Sequence, residues 1–112
     1  MNSVSKPEPI RVDEDGYLID PATWDESTAR ELAAGENLRL EADHWRVIRF
    51  MRAYYEDHRT PADARFVLRF LDRECGFGKQ AKTRLFQLFP YGYVQQACKI
   101  AGMKRPRIWS TG

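Results

Sequence analysis

Apolar residues recur at helical spacing through most of the chain, and the pattern predicts five helices. From Asp25 to Ala34, Ala29, Leu32 and Ala33 lie on one face, and Gly35 is a plausible stop. From about Ala42 to Asp57, Trp45, Ile48, Phe50, Met51 and Tyr55 form a wide apolar stripe, with Arg46, Arg49 and Arg52 mostly off it. His58-Arg59-Thr60-Pro61 breaks that run. A third helix is expected over about Ala62 to Glu74, with Thr60 as cap and Pro61 in its first turn. Phe66, Val67, Phe70 and Leu71 form its core face. After the turn Gly76-Phe77-Gly78, a fourth helix runs from about Gln80 to Leu88, and a fifth from about Tyr93 to Ala101.

The first residues follow another rhythm. Asp13-Glu14-Asp15-Gly16 is a turn signal between Ile10 to Val12 and Tyr17-Leu18-Ile19, which predicts a short β-hairpin. The fold class expected is mainly α (α+β by strict count). It is a small orthogonal bundle of about five helices with an N-terminal hairpin, a helix-turn-helix-like element and a flexible C-terminal arm. The division is a tail over 1–9, one domain over 10–102 and an arm over 103–112.

Composition narrows the class. With 112 residues, 43% hydrophobic and 30% charged, the chain suits one soluble domain. No apolar run reaches the roughly 20 residues of a membrane span, and the start lacks the apolar core of a secretory signal. Two cysteines, Cys75 and Cys98, are too few for a disulfide scaffold, so a reducing, cytoplasmic setting is expected. A disulfide between them is possible in principle. His44 and His58 have no metal or catalytic spacing, and no metal or cofactor is expected. A monomer is expected.

Charge is uneven. Residues 76–112 hold seven Lys and Arg (Lys79, Lys82, Arg84, Lys99, Lys104, Arg105 and Arg107) and no acid. This basic third either offsets the acidic part of its own fold or meets an anionic partner, such as an acidic protein surface or a nucleic acid. Lys79, Lys82 and Arg84, with Gln80 and Thr83, sit where a recognition helix would contact DNA. The plainer reading is a solvated helix face.

Leu88-Phe89-Pro90-Tyr91-Gly92 followed by Gln96-Ala97-Cys98-Lys99-Ile100-Ala101-Gly102 resembles the C-terminal signature of the DsrC/TusE family. Asp15-Gly16-Tyr17-Leu18, Trp24, His44-Trp45, Pro61 and Arg65 agree in order, so the resemblance spans about residues 13–109. It implies a sulfur-relay protein with sulfurtransferase-like chemistry, in which a cysteine on the C-terminal arm accepts sulfur as a persulfide. The partners it implies are sulfur-transfer proteins of DsrEFH or TusBCD type, the siroheme sulfite reductase, or the enzyme of tRNA thiolation. The family's upstream cysteine matches Cys98, but Trp109 stands at the position of its terminal, reactive cysteine. Tyr93 replaces the proline after the glycine, and Lys104 replaces another. Lacking the terminal cysteine, the chain resembles the regulatory sulfur-related proteins, which implies an alternative role in binding partners or DNA without sulfur transfer.

Cys98 therefore has two readings. As a carrier it must be a reachable thiolate, which Lys99, Lys104, Arg105 and Arg107 would favour. As a structural residue it packs with Val94 and Ala101. Trp109, with Lys99, Lys104, Arg105 and Arg107, is a candidate for partner docking or for folding back on its own domain.

Overall fold

A computed structural model of the chain describes residues 9–104. Five helical bodies make up the fold. They are α1 (Glu26–Gly35), α2 (Ala42–His58), α3 (Ala64–Arg69), α4 (Ala81–Leu88) and α5 (Cys98–Ile100). A π-helical turn, Phe70–Glu74, extends α3, and another, Tyr93–Ala97, leads into α5. A 3-10 turn, Gly78–Gln80, precedes α4. None of the helices is long and apolar enough to cross a membrane among the described residues.

The expected N-terminal hairpin is not formed. One antiparallel bridge joins Val12 to Leu18, and among the described residues no strand is built on it. The reason is local. Asp13 closes the turn by accepting hydrogen bonds from Asp15 N and Tyr17 N, and Tyr17 and Leu18 are drawn into the core. The backbone pairing around the bridge is limited to Asp13 N with Tyr17 O and Ile19 N with Arg11 O, too short a ladder for a strand pair.

Local chemistry sets the helix starts. Asp25 caps α1 by accepting from Thr28 N at 2.8 Å. At α2 the Glu41 N–H donates to His44 Nδ1 at 3.0 Å, a histidine version of the capping box. The cap of α3 is Asp63, which accepts from Arg65 N, and not Thr60. Pro61 consequently lies outside the helix it was expected to open.

The core gathers Val47, Ile48 and Met51 of α2, Val67 and Leu71 around α3, Leu85 and Leu88 of α4, and Ile100 of α5. Each such side chain contributes about 1.5–3 kcal/mol on burial. Met103, placed in the arm by the sequence reading, is also fully buried, and its N–H donates to Cys98 O at 2.9 Å. The ordered body thus continues past Gly102.

Candidate functional site

The family-matched cysteine, Cys98, opens the last helix, which packs against the segment that holds Tyr17 and Trp24. The short α5 cannot satisfy its own terminal carbonyls, and distant side chains do so. Trp24 Nε1 donates to Ile100 O at 2.9 Å. Arg52 donates to Ala101 O and to Pro21 O, both at 3.1 Å. Tyr17 Oη donates to Val94 O at 2.8 Å. Arg52, only 13% exposed, also lies over the Trp24 ring at 4.6 Å. The sequence reading set Arg52 among the surface charges. Its position four residues after Ile48 and three before Tyr55 was the available sign of an inward face.

Gly102 closes the helix in the left-handed region, at φ +77°. A Cβ there would lie 2.8 Å from Trp24 Cγ, so only glycine lets the indole reach its carbonyl.

Cys98 is fully buried, and both cysteines are free thiols. Burial pushes the Cys98 thiol up to about 12, against a smaller downward effect of the neighbouring Tyr93 hydroxyl. Tyr93 is itself fully buried, and its hydroxyl donates to Ala62 O. Burial and the neighbouring Cys98 raise its own pKa. Neither Lys99 nor Lys104 is among the influences on the thiol, which burial and Tyr93 set. Lys99 instead packs its ammonium 5.4 Å from the Tyr17 ring centroid, and Lys104 is exposed and influences Asp13. Arg105, Arg107 and Trp109 lie outside the described residues. Cys75 is half-buried at the end of the π turn, with its thiol also raised by burial.

The basic α4 set is divided. Lys79 and Lys82 are exposed and border one shallow depression with Thr83, Phe86 and Gln87. Arg84 turns away from it and donates to Asp43 Oδ2 at 2.9 Å. That bond holds the Asp43 carboxyl below its usual range. His44 lies beside this pair, buried, with Nε2 donating to Leu88 O at 2.7 Å and its ring edge-on to Phe89. Since Nδ1 accepts from Glu41 N, the neutral Nε2–H tautomer satisfies both bonds. Burial lowers its pKa. Among the described residues no group of His, Cys, Asp and Glu could hold a metal ion.

A small helical module with a sealed thiol at the root of a basic C-terminal segment is the class that fold and site define. The family described as DsrC like protein matches residues 5–108, and the chain belongs to that family. Sulfurtransferase TusE of Salmonella paratyphi A is 37% identical over 97 residues, covering 87% of this chain and 89% of the relative. TusE of Buchnera aphidicola subsp. Acyrthosiphon pisum is 37% identical over 99 residues, covering 88% and 87%. Among solved structures, the oxidized gamma-subunit of the dissimilatory sulfite reductase (DsrC) from Archaeoglobus fulgidus superposes with a TM-score of 0.83 at 30% identity, covering 93% of this chain and 95% of that one. DsrC of Allochromatium vinosum gives 0.77 at 35% identity, with 88% of each chain covered.

Proposed function

We propose that this protein is a docking member of the sulfur-relay family. It engages sulfur-trafficking proteins through its basic C-terminal side and does not lodge sulfur on Cys98. The burial of Cys98 carries the reading. Accepting sulfur from a donor persulfide (R–S–SH) requires the Cys98 thiolate to attack the outer sulfur, forming the Cys98 persulfide, Sγ–SH, while the donor S–S bond breaks and the donor leaves as R–S⁻. A thiol raised to about 12 is almost wholly protonated at neutral pH, and it is covered by protein. Trp109 occupies the position at which the family resemblance placed the reactive cysteine.

The docking surface is Lys99, Lys104, Arg105, Arg107 and Trp109, working in the cytoplasm. Its partners are of the DsrEFH or TusBCD type, with the sulfite reductase or the tRNA-thiolation enzyme as the wider circle. The test is calorimetric titration of the whole chain into a purified complex of that type. Trp109→Ala, or the triple change Lys104→Gln, Arg105→Gln and Arg107→Gln, weakens binding more than tenfold, while Cys98→Ala leaves it unchanged. Loss of binding in Cys98→Ala, with the fold intact, refutes the reading.

A regulatory role in binding DNA is the second reading. The shared exposed face of Lys79, Lys82, Thr83 and Gln87 favours it, without Arg84, which Asp43 holds. A salt-sensitive gel shift abolished by Lys79→Ala with Lys82→Ala supports it. Absence of any shift at low salt removes it.

A further inference from the structure

A groove between α2 and the α3 extension takes no part in the site above. Phe50, Tyr54 and His58 recur at intervals of four along α2 and line one wall. Phe66 and Phe70 line the other, and the open volume is about 400 Å³. The rings support one another: Phe50 stacks on Phe70 at 4.6 Å, Tyr54 on His58 at 4.0 Å, and Tyr54 leans on Phe66 at 5.6 Å. Arg69 and Arg73 stand on the rim, and neither side chain makes a hydrogen bond or ion pair among the described residues. Arg69 lies 5.9 Å from the Phe66 ring centroid. Glu74 completes the lining. The π turn Phe70–Glu74 supplies Phe70, Arg73 and Glu74, and such turns interrupt α-helices frequently at functional sites.

We propose that this groove binds a short acidic peptide segment of a partner protein, one that carries an aromatic or large aliphatic side chain next to carboxylates. The apolar side chain lies along the ring wall. The carboxylates meet Arg69 and Arg73 as charge-assisted pairs. Glu74 accepts a peptide N–H. The chain's own C-terminal segment is the wrong occupant by charge: residues 104–112 carry Lys104, Arg105 and Arg107 and no acid. A nucleic-acid strand fits less well, because Glu74 would face phosphate and each stacked ring already has one face covered.

The probe is the peptide Ac-Glu-Glu-Trp-Glu-Leu-amide, titrated into the ¹⁵N-labelled whole chain and followed by amide chemical shifts. Saturable shifts confined to the α2 and α3 residues of the groove are expected. Arg69→Gln with Arg73→Gln weakens binding at least fivefold, and so does a probe with glutamine in place of glutamate. A probe with alanine in place of tryptophan loses at least as much, and added salt weakens the wild type. Both arginines are exposed, so the double variant should give an undisturbed spectrum elsewhere. The proposal is overturned by shifts that fall elsewhere, by no shifts at millimolar probe, or by binding that the arginine changes leave unaltered. Preferential binding of an oligouridylate at the same residues also overturns it.

Discussion

Acid should loosen this protein through one side chain, His44. The ring is buried, accepts from Glu41 N at 3.0 Å through Nδ1 and donates to Leu88 O at 2.7 Å through Nε2. A proton added at Nδ1 sets N–H against N–H, removes the cap of α2 and puts a charge in the core beside Phe89. Glu41 and Asp43 soften the effect and Arg84 adds to it, but burial dominates and the folded pKa lies below 6.5. The sign follows from linkage. Below 6.5 the unfolded chain binds a proton that the folded chain refuses, so stability is full above that pH and is lost as pH falls. One proton gives a slope of at most about 1.4 kcal/mol per pH unit, between 6.5 and the folded pKa. Urea unfolding at pH 8, 7, 6 and 5 measures it. Wild type should lose stability mainly below pH 6.5, and His44→Gln, less stable at pH 8 by about 1–2 kcal/mol, should lack that slope. A flat wild-type profile, or an equal slope in His44→Gln, refutes the reasoning.

Other perturbations probe the anchor and the carboxylates. Gly102→Ala should cost at least about 2 kcal/mol in urea unfolding, because it adds left-handed strain to a clash with Trp24. Arg52→Met keeps much of the packing but leaves Ala101 O without its side-chain donor and Pro21 O with the Trp24 N–H alone, and should cost about 1–3 kcal/mol in the same assay. Asp43 and Asp63 are held low by hydrogen bonds from Arg84 and from the Arg65 backbone, so their stabilisation is present above about 3.8 and fades below it. Asp43→Asn with Asp63→Asn should therefore flatten the loss between pH 4 and 2 and, because the Asp43 charge supports the His44 imidazolium, extend the His44 window to slightly lower pH.

Much of this was legible in the chain. Five helices follow from apolar spacing, and the stretch from Leu88 to Gly102 pointed to the family that the comparisons then showed. The errors have physical causes. A turn signal flanked by apolar residues reads as a hairpin, yet Tyr17 and Leu18 both go to the core and leave a single bridge. The π turns escape periodicity because one extra residue per turn alters no residue type. Asp63 competes with Thr60 as a cap within three residues, and backbone geometry decides between them. Cys98 was left open by the sequence, as carrier or as core. Its basic neighbours in sequence argued for a thiolate, but Lys99 faces Tyr17, and burial sets the thiol pKa. Side-chain direction on a short helix is not written in the order of residues.

The most direct test of the docking account is sulfur loading. The reduced chain is exposed to a persulfide-charged donor protein under native conditions, and intact mass and peptide mapping follow, with Cys75→Ala and Cys98→Ala alongside. The account predicts no added sulfur on Cys98 in the folded chain, and Cys98 thiol labelling only after unfolding. One sulfur atom on Cys98 of the folded wild type, absent in Cys98→Ala, would contradict it and make Cys98 a carrier.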